Sequence, residues 1–210
     1  MKKIITVLMA AMMIITSSYA QTSKELKQIA KEAKKEAKQF KKEGWLVAPG
    51  QLPLEEQFKT SYSMKKERDD NGLPKYIFGE AMSVGEIYDA ASRNAKQLAT
   101  EDLASRIQTE VTNLIETTVA NEQISQDDAS SLARYVNAGK SLIVQRIGRT
   151  ISVVECYRTQ KNGTIQVRSI LAYNEKMAME AAKAVIKKQL EEKGQDLHEQ
   201  LDAIWDQYGK

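Results

Sequence analysis

The runs Ile151 to Thr159 and Ile165 to Tyr173 flank Asn162-Gly163, and no other feature limits the fold so tightly. Both runs are rich in β-branched and aromatic residues, which suit a pleated, half-buried strand. Asn-Gly is the favoured two-residue hairpin turn, because both positions tolerate positive φ. The expectation is an antiparallel hairpin. A two-residue turn sets Val154 opposite Leu171, Cys156 opposite Ser169 and Arg158 opposite Val167 on one side. On the other side it sets Val153 opposite Ala172, Glu155 opposite Ile170 and Tyr157 opposite Arg168, with Glu155 and Arg168 placed diagonally for an ion pair. One side is mainly core. The other is mixed, with enough apolar surface to meet a partner or the N-terminal helix.

The hairpin needs further elements to cover it. Tyr76 to Met82 reads as a strand, and Ser83 with Glu86 fits a capping box that opens a helix. Ile87, Ala91, Ala95, Leu98, Ala99, Leu103 and Ile107 give that helix an alanine-rich face able to approach a sheet closely. Val111, Thr112, Ile115, Thr117, Thr118 and Val119 are β-branched, so residues 111–119 are read as a strand. Ser125, with Asp127 and Asp128 in the first turn, starts a helix with Leu132, Tyr135, Val136, Leu142 and Ile143 as its buried stripe, ending near Gly148. Asn174 caps a final helix, weakened at Gly194, whose seam resumes from Leu197 to Tyr208. Pro49-Gly50, Pro53 and Asp70-Asn71-Gly72-Leu73-Pro74 break the chain, and a short helix fits between them at Leu54 to Lys66.

Ahead of this lies a lysine-rich helix. Thr22 and Glu25 fit a capping box, and Gly44 ends the element. Leu26, Ala30, Ala33, Ala37 and Phe40 share one face at helical spacing. Lys27, Lys31, Lys34, Lys38 and Lys41 follow one position later, about 100° round the axis. Such a narrow apolar seam between charged borders belongs to a helix that docks on its own protein. Residues 21–45 nevertheless hold eight lysines against four glutamates, so the five named lysines are the candidate site for an acidic partner. A membrane surface would want more large apolar residues than one Leu, one Ile and one Phe, which leaves at most peripheral contact. Nucleic acid is disfavoured, because the helix offers no arginine and no aromatic residue beyond Phe40 before Trp45. The end helices, with their narrow stripes, are expected to pair outside the sheet domain.

The first twenty residues read as a secretory signal: Lys2-Lys3, an uncharged apolar run from Ile4 to Ile15, then Ser18 and Ala20 before the cleavage site. The run is too short to anchor in a bilayer, which takes about 20 apolar residues. Gln21 follows, with no cysteine to carry a lipid. The expected location is the periplasm, or another exported site, of a Gram-negative bacterium. The mature chain holds 29 basic and 28 acidic residues and no later membrane-spanning segment. Its one cysteine, Cys156, excludes an internal disulfide and is read as a buried strand residue. The expected organisation is a signal peptide at 1–20, a charged amphipathic helix at 21–45, a linker at 46–74, an α+β domain at 75–174 and a C-terminal helical segment at 175–210. The fold class is α+β, a small mainly antiparallel sheet packed by helices, with long terminal helices.

Chemistry leaves little trace. His198 and Asp202 form a helical i, i+4 pair, but no second histidine or nearby cysteine completes a metal set. Asp69 to Gly72 lacks the alternating ligands and terminal glutamate of a calcium loop. No Gly-x-Ser-x-Gly turn or Gly-rich phosphate loop is present. No catalytic, cofactor-binding or metal residue is assigned, and an enzyme would require a site that such motifs do not reveal. The order strand, alanine-rich helix, strand, helix, hairpin, helix resembles the LPP-twenty family of bacterial envelope lipoproteins. Gly79 and Ala81, then Ala91, Ala95, Leu98-Ala99, Leu103-Ala104 and Ile107, and the hairpin Ile151 to Tyr173 carry the resemblance, over about Lys75 to Ala184. It implies a non-catalytic envelope module, here without the lipid-bearing cysteine. The function expected is an exported interaction or assembly module that contacts an envelope protein or a second copy. The alternatives are binding of an acidic envelope polymer or nucleic acid through the lysine helix, and an enzyme of unrecognised site.

Overall fold

The computed structural model describes residues 23–193 and 196–208. The signal-like segment at 1–20, the capping Thr22 and Gly194 lie outside them. The chain forms α1 (residues 23–42), α2 (Leu54–Lys66), β1 (Tyr76–Gly85), α3 (Tyr88–Ala120), α4 (Gln126–Ala138) and α5 (Lys140–Arg146). It continues with β2 (Ile151–Thr159), β3 (Ile165–Asn174), α6 (Glu175–Lys193) and α7 (His198–Trp205). The strands make one antiparallel sheet in the order β1-β3-β2, covered by helices. The α+β class is therefore as expected.

The hairpin forms, but one residue out of the expected register. Gln160 N donates to Thr164 O at 2.8 Å and Gly163 N to Gln160 O at 2.9 Å, so the loop has three residues. Gly163 takes φ +85°, the left-handed position that follows a type I turn in such loops. Val154 consequently faces Ile170, Glu155 faces Ser169 and Cys156 faces Arg168. A bulge between Ser152 and Val154 then shifts the far end by one more residue. Glu155 and Arg168 fall on opposite faces of the sheet and do not pair with each other.

One helix of 33 residues, α3, replaces the expected helix and strand. At about 1.5 Å per residue it is about 50 Å long. Its first half crosses the sheet through Ala91, Ala95 and Ala99, all essentially inaccessible. Its second half leaves the sheet and buries Val111, Ile115 and Thr118 in a core shared with α4 to α7. Burial at i, i+4 and i+7 outweighs the strand preference of the β-branched residues. Thr117 and Thr118 turn their hydroxyls back to the carbonyls of Asn113 and Leu114, at 2.9 and 2.7 Å. The Ser83–Glu86 capping box does not form. β1 runs on to Gly85, and Ser83 accepts from Asn94 instead.

Other helix boundaries follow their capping chemistry. Ser125 accepts from Asp128 N at 3.1 Å, and Asn174 accepts from Met177 N at 3.0 Å. The expected single helix from Ser125 breaks at Gly139 into α4 and α5. A Cβ there would meet Gln189 Nε2 at 2.8 Å, Tyr135 O at 3.0 Å and Val185 Cγ1 at 3.1 Å, so glycine lets α6 approach without displacing these groups.

The opposite sheet face is covered by α1 and α2. Ala33, Ala37 and Phe40 join Trp45, Leu54, Phe58, Val154, Cys156, Ile170 and Ala172 in one apolar cluster. The seam on α1 keeps the expected Ala33, Ala37 and Phe40, but Ile29 is buried at its start while Ala30 is only partly buried and Leu26 is exposed. Arg168 lies 5.0 Å from the centroid of Phe40, and Arg158 lies 4.7 Å from that of Trp45. The end helices thus sit in different cores on opposite sides of the sheet and do not pair with each other.

The tightest contact in this arrangement is at Gly79. A Cβ there would meet Leu103 Cγ at 2.7 Å, Leu103 N at 2.8 Å and Ala99 O closer still. Gly79→Ala is expected to cost about 1–3 kcal/mol by overpacking, measured by chemical denaturation. An unchanged midpoint would show that α3 does not press on β1.

Candidate functional site

Lys27, Lys31, Lys34, Lys38 and Lys41 are all exposed, and none makes an ion pair with another described residue. They run along the solvent side of α1, over about 21 Å at 1.5 Å per residue. The structure brings the five into one basic stripe. None of the five lines the groove described below.

The polar chemistry inside the fold lies elsewhere. Glu155, 4% exposed, sits between the sheet and α3. Ser92 donates to its Oε1 at 2.6 Å and Tyr88 at 2.7 Å, while Lys96 Nζ stands 2.8 Å from Oε2. The Lys96 ammonium compensates the charge at Oε2. Burial alone would raise the carboxyl, but Lys96, Ser92 and Tyr88 together hold it below its ordinary value. The Tyr88 hydroxyl is pushed up to about 12 by its own burial and by Glu155. These groups engage one another across the contact between α3 and β2. Their role is to lock α3 to β2.

The two sheet edges differ. Each strand residue turns its N–H and C=O to the same side, so alternate residues of an edge strand face outward. On β2 the middle of the edge is engaged: Tyr157 exchanges two backbone hydrogen bonds with Leu46, at 2.7 and 2.9 Å, and Glu155 N donates to Gln57 Oε1 at 2.8 Å. On β1, Glu80 N is capped by Asp102 Oδ2 at 2.9 Å. Phe78, Met82 and Val84 share its outward phase, and no backbone partner reaches them among the described residues. Met82 is 53% exposed, Val84 50% and the nearby Ile87 61%. An edge of this kind, with neither lysine nor proline to protect it, is a template for another strand.

Beyond Asp102 the β1 edge enters a groove of about 830 Å³. Tyr76 to Phe78 and Glu80 form one wall, and Arg106 to Thr117 of α3 the other. Glu110, Glu175 and Tyr208 close its far end. Burial pushes the Glu175 carboxyl up to about 7, helped by Glu110 and Asp69 and opposed by a hydrogen bond from Tyr208 and the charge of Arg68.

The remaining candidates are structural. Cys156 is fully buried, and burial pushes its thiol up to about 12. Asp202 pairs with Lys183 at 2.7 Å. Asp69 Oδ1 accepts from Asn71 N and Leu73 N at 2.9 Å each, an Asx turn. Among the described residues no three His, Cys, Asp or Glu gather as metal ligands. No described helix is long and apolar enough to cross a membrane. No protein-family model, curated protein or solved structure matches the chain.

Two pH responses follow. Glu155 has a depressed carboxyl, so its stabilisation is complete above the ordinary value of 4.5 and is lost as pH falls below it. Glu155→Gln is expected to remove that acid limb and to cost about 1–3 kcal/mol at neutral pH, as read by denaturation across pH. Glu175 behaves oppositely. Its raised carboxyl contributes stability below 4.5 that is lost as pH rises through about 7. Glu175→Gln is expected to raise the melting temperature at pH 8 and to leave it nearly unchanged at pH 4. Equal effects at both values would contradict this account.

Proposed function

We propose that the protein is an exported, non-enzymatic cell-envelope protein of a Gram-negative bacterium, acting as an interaction or assembly module. The open edge of β1 carries this reading. The outward groups of β2 are engaged at Glu155 and Tyr157, whereas β1 presents Met82 and Val84 beside main-chain groups that no described residue engages. Strand addition at such an edge gives affinity through the main chain and specificity through alternate side chains. The edge is also self-complementary. A two-fold axis beside Ser83 sets Met82 of one copy opposite Val84 of the other. The signal-like segment supports export, and the LPP-twenty resemblance supports an envelope role. Glu155, Lys96, Ser92 and Tyr88, which satisfy one another at the sheet–helix junction, support a packing role for the buried polar groups.

The test is light scattering after size exclusion. The mature chain is expected to associate as its concentration rises. Met82→Lys combined with Val84→Lys should return it to a monomer with unchanged far-ultraviolet circular dichroism. A wild-type monomer at every concentration removes self-association at this edge.

The stripe of exposed lysines favours a second reading, binding of an acidic envelope polymer or nucleic acid. Deleting residues 21–45 would strip Ala33, Ala37, Phe40 and Trp45 from the sheet core, so charge reversal is the cleaner probe. Reversing Lys27, Lys31 and Lys34 to glutamate should abolish salt-sensitive retention on heparin. Retention equal to wild type would dismiss the stripe as a binding surface.

A further inference from the structure

The groove beside β1 carries an unbalanced charge. Among its walls, Glu80 pairs with Arg168 at 2.6 Å, and Arg106 pairs with Asp102 at 2.9 Å. Lys65 keeps its charge 5.5 Å from the centroid of Phe78, so one unpaired cation stands against the two carboxylates of Glu110 and Glu175. Arg68 directs its guanidinium at the carbonyls of Lys65 and Glu67, both at 3.1 Å. Glu110 and Glu175 make no ion pair with another described residue. Glu175 is partly buried and Glu110 exposed, and two carboxylates on one groove without a paired cation are an unfavourable arrangement that a bound cation would relieve.

The other walls specify the shape of that cation. Tyr76 and Phe78 have the outward backbone phase of Glu80, so their main-chain groups face away from β3 along the groove wall. Arg106 to Thr117 of α3 run alongside for about 16 Å at 1.5 Å per residue. That length matches about five extended residues at ~3.3 Å each. The rings of Tyr76, Phe78 and Tyr208 line the space and suit the aliphatic stem of a long basic side chain.

We propose that this groove binds an extended, basic segment of a protein partner. The segment's main chain pairs with Tyr76 and Phe78, and a lysine or arginine side chain reaches Glu110 and Glu175. This goes beyond the edge pairing at Met82 and Val84, which lies on the far side of Asp102 and is altered by different substitutions.

The mature chain is titrated at low ionic strength into the fluorescein-labelled pentapeptide Val-Arg-Val-Lys-Val, and anisotropy is recorded. The peptide is expected to bind. Glu110→Gln combined with Glu175→Gln should weaken it at least about tenfold, the loss of charge-assisted hydrogen bonds. Replacing both carboxylates by neutral amides removes their mutual repulsion and should not unfold the protein, and melting temperatures check that. Met82→Lys with Val84→Lys, and reversal of Lys27, Lys31 and Lys34, should leave peptide affinity unchanged. An acidic counterpart, Val-Glu-Val-Glu-Val, and free spermidine should bind at least about tenfold more weakly than the basic peptide. The proposal is overturned by no binding of the basic peptide or by equal binding to the Glu110/Glu175 double variant. Spermidine binding as tightly as the peptide also overturns it, because the site would then take a small polyamine.

Discussion

The close approach of α3 to β1 is the constraint on which the rest depends. Helix and strand meet at Gly79, where Ala99 and Leu103 occupy the space of a side chain. Ala91, Ala95 and Ala99 keep the same helix face low along the sheet. Small residues are needed because protein interiors are close-packed and yield little to an extra methyl group. With α3 held flat on the sheet, its remaining turns project beyond it. They become the wall against which α4, α5, α6 and α7 assemble. One helix therefore joins a sheet core to a helical core.

This placement also decides where polar groups are satisfied. Lys96 and Ser92 reach Glu155 from α3, and Asp102 reaches Glu80 N from the same helix. On the other face, the segment after α1 and the first turn of α2 engage the β2 edge through Leu46 and Gln57. Among the described residues no equivalent segment covers β1. A buried backbone group without a partner is costly, so an uncovered strand must stay near solvent or receive another chain. The interaction surfaces proposed for this protein are consequences of that asymmetry.

Much of the architecture was legible in the residues. The hairpin, the helices capped by Ser125 and Asn174, the alanine face of α3 and the buried Cys156 all follow from local spacing. The errors have physical causes. Asn162-Gly163 has the composition of a two-residue turn, yet it closes a three-residue loop, and one extra residue moves every pair. Val111 to Val119 has strand composition but helical burial, because α4 to α7 supply apolar partners at i, i+4 and i+7. The lysine stripe was visible at once, since its spacing is periodic. The β1 edge and the groove were not. Met82, Val84, Glu110 and Glu175 become notable only when strand order exposes one edge and brings α3 beside α6.

By itself, the amino-acid sequence determined the α+β class, the hairpin, the small-residue helix and the basic stripe on α1. These depend on preferences among residues near one another in the chain. Tertiary structure alone decided the hairpin register, the continuity of α3, the ion-pair partners of Glu155 and Arg168, and which strand edge stays open. Each of those is a choice between locally acceptable alternatives. It is settled by which arrangement buries the most apolar surface while leaving the fewest polar groups unpaired, a comparison that involves residues tens of positions apart.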